Sequence, residues 1–269
     1  MLLNEKIAVV YGAGGGVGSA IARKFALEGA RVYLTARRLE SIKALADEIS
    51  ESEARVRASE VDALDEKAIE SHLDSILDEV GRVDISCNAV GVPARIVAEK
   101  GMQGVPLTDI PLESFTLPIA TYTRTNLLTG RAAVRRMIQK ETQGVILMHT
   151  PEPARMGLPF LGGMAPAWAA MEALCRSFSA EFASRGIRAV CLRTTGMPET
   201  KTIEIVFGIH AKMMGVDWEQ VRSLMESTTH ARRSSTLEEL TNVAAFLASD
   251  MAKGMTGTVA NLTLGKAAD

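Results

Sequence analysis

The sequence has no tyrosine after Tyr122 and no lysine between Lys140 and Lys201. A phenol and an ammonium therefore cannot share one helix turn anywhere in the second half of the chain. Cysteine is scarce: Cys87, Cys175 and Cys191 are widely spaced and odd in number, a pattern of reduced thiols in a cytoplasmic protein rather than of disulfides or a metal site. The four histidines do not cluster at ligand spacing either, so no metal is expected. Net charge is −2 and the pI about 6.2, which gives neither a nucleic-acid footprint nor a membrane-seeking surface. The longest uncharged stretch, Met156 to Met171, is broken by Pro159 and Pro166 and falls short of the roughly 20 residues a membrane span needs. The opening M-L-L-N-E-K lacks the basic start and long apolar core of a secretion signal, and a cytoplasmic protein is expected.

What the chain does have is a regular beat. Its 269 residues suit one α/β domain, 1–269, with no length left for a separate substrate domain. Strand-like runs at 7–11, 31–36, 55–61, 83–90, 144–150, 187–192 and 258–264 alternate with helical patterns at 19–28, 39–50, 66–80, 121–140, 165–184 and 237–247. Such alternation predicts a doubly wound Rossmann-type three-layer sandwich around a mainly parallel seven-stranded sheet. Residues 200–233 depart from it, with helical patterns but no strand. They follow the sixth strand, near the carboxyl edge where ligands bind, and read either as a helical lid over a largely apolar pocket or as an oligomer contact.

The first strand runs into Y-G-A-G-G-G-V-G and then a helix. Backbone N–H groups left unpaired at such a helix start, together with the helix dipole, attract a pyrophosphate. The spacing of Gly12, Gly16 and Gly18, with Gly14 and Val17 between, resembles the T-G-x-x-x-G-x-G turn of short-chain dehydrogenases/reductases, with Tyr11 in place of the threonine. Further matches cover nearly the whole chain. Val61-Asp62, followed by Ala63, resembles the pair whose aspartate meets the adenine. Asn88-Ala89-Val90-Gly91 resembles the N-N-A-G motif, Asn126 matches the helix asparagine of the catalytic tetrad, and Thr195-Gly196 with Thr200 resembles the run that approaches the nicotinamide carboxamide. The resemblance implies a dinucleotide cofactor and a homodimer or homotetramer built on the helices at 121–140 and 165–184. After the second strand Ala36 replaces the acidic residue of NAD enzymes, and Arg37 and Arg38 follow. Two guanidiniums suit a ribose 2′-phosphate, so NADP(H) is expected, although Gly15 stands where many NADP enzymes carry a basic residue. The alternative for the arginines is a solvated pair bridging to Glu40 or Asp62.

The family transfers hydride with a serine, a tyrosine and a lysine. Registering the following helix on Ala169-Ala170, Ser179-Ala180-Glu181 and Gly186-Ile187-Arg188 puts Pro151, Met164 and Trp168 at those positions. Neither thioether nor indole supplies the missing proton near neutral pH. Substitutes are His149, as acid/base or as a buried neutral ring, and Tyr122, one turn before Asn126, as pocket phenol or packing residue. Glu152 and Arg155 read as solvated, and His210 as incidental. Three functions stay open: an NADP(H)-dependent oxidoreductase of unusual site acting on a small, mostly apolar carbonyl or alcohol, a non-catalytic dinucleotide-binding sensor or partner subunit, and a non-redox isomerase, cyclase or dehydratase.

Overall fold

Strand β1 (Ile7–Tyr11) is buried along its whole length, and its side chains alternate between two separate apolar cores. Ile7, Val9 and Tyr11 face one layer of helices, Ala8 and Val10 the other. A strand apolar on both faces can only sit in the middle of a three-layer structure, and that is where the computed structural model has it. The structure describes residues 1–50 and 55–267; the rest of the span 1–269 lies outside the described residues.

To one side of β1 lie β2 (Arg31–Ala36) and β3 (Val56–Glu60), and to the other β4 (Ile85–Asn88), β5 (Gly144–Pro151), β6 (Ile187–Thr194) and β7 (Thr258–Leu262). The order is β3-β2-β1-β4-β5-β6-β7, and every neighbouring pair is parallel. Helices α1 (Gly16–Leu27) and α2 (Glu40–Ser50) share one face with α9 (Leu237–Ala248). Helices α3 (Glu66–Val80), α5 (Leu112–Gln139) and α6 (Met164–Phe182) cover the other. The order of connection reverses between β1 and β4, which opens a crevice beyond their carboxyl ends.

Several elements differ from expectation: α1 starts at Gly16 rather than at 19, and β4 spans only Ile85–Asn88 of the expected 83–90. Helix α5 begins at Leu112 and runs for 28 residues through Pro118; the proline forfeits one backbone bond, but packing keeps the helix continuous, so Tyr122 sits well inside it. A short helix, α4 (Ala94–Glu99), occupies the Pro/Gly-rich loop after β4. Strand β6 continues two residues past Leu192 because Arg193 is buried in an ion pair. The segment after β6 forms α7 (Lys201–Met214), capped by the Thr200 hydroxyl, and α8 (Trp218–Ser227), started by an Asp217–Gln220 capping box. These two share a small core of Phe207, Ala211 and Val221, and α7 packs against α4. No helix among the described residues is long and apolar enough to cross a membrane.

On α3, His72 is buried with both ring nitrogens unpartnered among the described residues, edge-on to Tyr33 at 6.3 Å. Burial lowers its pKa to about 4, against about 6.5 in an unfolded chain. The neutral folded form therefore contributes full stability above pH 6.5 and loses it as pH falls toward 4, by up to roughly 3 kcal/mol. Denaturant titrations of the His72→Phe variant should show a flatter loss of stability between pH 6.5 and 4 than the parent; an unchanged slope would contradict this assignment.

Candidate functional site

The turn between β1 and α1 is closed by backbone alone. The amides of Gly12 and Ala13 both donate to the Thr35 carbonyl at 3.0 Å, and the Gly15 amide donates back to the Gly12 carbonyl at 3.1 Å. Gly12 has φ +78°, and a Cβ there would lie 2.9 Å from the Ala89–Val90 backbone, where the loop after β4 crosses. At Gly18 a Cβ would run into the Gly12 carbonyl, and at Gly16 it would stand 3.0 Å from Thr200 Cγ2. The glycines thus let three chain segments meet. Gly15, the residue before α1, makes no side-chain cap, and the first turn carries no acid. Its amides, on Gly16, Val17 and Gly18, are left for an outside acceptor, and no carboxylate repels an anion. Gly14 lies over Ser41.

The residues expected around this cradle are distributed as follows. Arg37 and Arg38 follow β2 and are exposed, and neither makes an ion pair among the described residues, with Glu40 or Asp62 included. Asp62 bends the chain after β3 by accepting from the Leu64 amide at 2.9 Å, with Ala63 buried beside it. Asn88 donates to Thr129 Oγ1 at 2.9 Å and accepts from the Val90 amide at 2.8 Å, tying the β4 loop to α5. The Ala89 amide donates to the Tyr11 carbonyl at 2.9 Å. Thr200 is buried and donates to the Met197 carbonyl at 2.8 Å.

Beyond the loop, Gly91 lies against Tyr122; a Cβ there would be 2.8 Å from the phenol oxygen. The Tyr122 ring meets Trp168 edge-on at 6.2 Å. Burial raises the phenol pKa, opposed by the Trp168 side chain and the Val92 backbone. Asn126 donates Nδ2 to the Tyr122 carbonyl at 2.9 Å, while its buried Oδ1 has no partner. Met164 and Trp168 are buried on α6, and Pro151 ends β5 opposite Thr194. His149 is half-buried, its Nε2 2.9 Å from Thr194 Oγ1. Burial lowers its pKa to about 4, so the ring is neutral at pH 7.

Glu152 is not solvated as expected: it is buried, and Lys266 Nζ donates to it at 2.9 Å from the far end of the chain, with Met225 Sδ of α8 alongside. No local signal could have paired residues so far apart. The same loop's Arg155 is exposed, as expected. His210 on α7 pairs with Gln103 at 3.1 Å, and burial lowers its pKa. Among the described residues no group of His, Cys, Asp and Glu could hold a metal.

A sequence model described as enoyl-(acyl carrier protein) reductase matches residues 12–265. The chain belongs to the short-chain dehydrogenase/reductase family of oxidoreductases. Its relatives within that family include an uncharacterized oxidoreductase, YxbG, of Bacillus subtilis, 28% identical over 95% of this chain and 88% of that one. A 1-deoxy-11-beta-hydroxypentalenate dehydrogenase of Streptomyces exfoliatus is 30% identical over 71% of this chain and 67% of its own length. Among solved structures, an NAD+-bound xylitol dehydrogenase superposes with a TM-score of 0.90 at 24% identity, covering 98% of this chain and 100% of that one. Family members bind nicotinamide dinucleotides, and the cradle of this member, walled where any Cβ would intrude, fits such a pyrophosphate.

Gly12→Ala forces a side chain into the Ala89 backbone at a left-handed φ. Dinucleotide affinity should fall by about tenfold to a hundredfold, roughly 1.4–2.8 kcal/mol, with the far-UV circular dichroism retained; parental affinity in an equilibrium titration would contradict the cradle assignment.

Proposed function

We propose that this chain is an NADP(H)-dependent oxidoreductase acting on a small, mostly apolar carbonyl or alcohol through a site without the family's serine, tyrosine and lysine. The observation that carries the cofactor preference is the pair of exposed, unpaired guanidiniums of Arg37 and Arg38 beyond Ala36, free to clamp a 2′-phosphate where an acidic residue would repel it. The bound nicotinamide supplies the hydride chemistry. On the protein side, His149 is the proton-handling group, its ring oriented by Thr194 Oγ1 and kept neutral by burial, with a nitrogen open to accept a proton from an alcohol. Asn126 positions Tyr122 through its carbonyl, and Tyr122 with Trp168 and Met164 makes the pocket wall apolar. Helices α7 and α8 form the lid, and α5 with α6 the contact of a homodimer or homotetramer, where Leu127 on α5 remains 41% exposed in the single chain.

A second reading is favoured by one specific feature: Trp168 and Met164, which the sequence register aligns with the family's lysine and tyrosine, are buried apolar side chains. It makes the chain a dinucleotide-binding sensor or partner subunit without turnover.

In paired titrations NADPH should bind more tightly than NADH, and the R37A/R38A variant should lose that preference; equal affinities in the parent would contradict the NADP(H) assignment. Across a panel of apolar ketones and secondary alcohols, turnover followed at the nicotinamide absorbance should drop about 10²–10⁴-fold in His149→Ala. Tight NADPH binding with no turnover on the whole panel would favour the second reading, and a monomer by light scattering would reject the oligomer.

A further inference from the structure

A second polar centre lies on the α6 side of the sheet. Arg193 on β6 and Glu172 on α6 pair through two hydrogen bonds of 2.8 Å, and the Thr150 hydroxyl donates to the same carboxylate at 3.0 Å. Both charged residues are nearly sealed from solvent, at 3% and 4% exposure. Buried ion pairs rarely stabilise a fold more than apolar packing would. This one borders a cavity of about 560 Å³ between α6, the turn after β5 and the start of β7.

Arg155, from that turn, and Arg176, one helical turn beyond Glu172, line the same cavity. Both are exposed residues, and neither has a carboxylate partner among the described residues. Arg155 and Arg176 thus bring two guanidiniums without a carboxylate partner among the described residues to a cavity walled by the Arg193–Glu172 pair.

We propose that this cavity is a binding site for a small molecule carrying a compact dianion, a phosphate or a pair of carboxylates, gripped by Arg155 and Arg176 against the fixed Arg193–Glu172 pair. Guanidiniums present paired donors at the spacing of phosphate and carboxylate oxygens, and the buried pair holds the cavity wall rigid while leaving net positive charge for the ligand. The site is separate from the nucleotide cradle, which lies beyond β1 and β4.

The full-length chain titrated calorimetrically with inorganic phosphate, and separately with succinate, tells which anion the site takes. Saturable binding of at least one probe is expected, weakened about tenfold or more in R155A/R176A by loss of two charge-assisted contacts, with the melting temperature of the ligand-free variant unchanged. The R37A/R38A variant should bind the probe as the parent does. A crystal of the probe complex should put the anion against Arg155 and Arg176. No saturable binding of either probe, equal affinity in R155A/R176A, or a side chain of a second copy filling the cavity would each overturn the proposal.

Discussion

At the carboxyl end of β1 the chain leaves no room for a Cβ at Gly12, Gly16 or Gly18. Gly12 touches the backbone of the loop after β4, Gly18 touches Gly12, and Gly16 touches Thr200, so the first strand, the fourth-strand loop and the start of α7 converge on one turn. That close approach sets where α1 begins, and with it the unpaired amides at its N-terminus. It also requires the two neighbours of β1 to be β2 and β4, because only a reversal of connection leaves a crevice at that end. The phosphate cradle is therefore a consequence of backbone packing.

On the reading proposed above, the opposite bank of the crevice carries different chemistry: Met164 and Trp168 would stand in place of a positioned phenol and ammonium, and Pro151, which has no hydroxyl to donate, in place of the serine. Asn126 lies on α5 beside Tyr122, and its buried Oδ1 is an acceptor with no donor among the described residues. Polar groups nearby are engaged with one another instead, His149 with Thr194 and Glu152 with Lys266. Burial keeps the imidazole uncharged at neutral pH, so its lone pair is open but it is a weaker base than a solvated histidine and holds no proton to donate.

Most of the fold was legible because it depends on local signals. Strand-length apolar runs, glycines after helices and the alternation of the two patterns sufficed for seven strands in their order of appearance. The glycine turn was legible for the same reason, since its spacing is a local requirement of backbone contact. Misreadings came where a distant partner overrules a local cue. The helix expected at 121–140 runs back through Pro118 to Leu112; the strand expected at 187–192 goes on to Thr194, where Glu172 holds Arg193 inside the sheet; and Glu152, expected to be solvated, is neutralised by a lysine 114 residues away. Charged residues in the interior are invisible to hydropathy patterns because their burial depends on a partner rather than on their own polarity.

A crystal structure of the NADPH complex tests most directly the proposal that this scaffold grips a dinucleotide beside a pocket with apolar side chains in place of proton-delivering ones. The pyrophosphate should rest on the amides of Gly16, Val17 and Gly18, the 2′-phosphate between Arg37 and Arg38, and the nicotinamide in a pocket that Trp168 borders without filling. A pyrophosphate bound elsewhere, or an indole lying in the space of the nicotinamide ring, would contradict it.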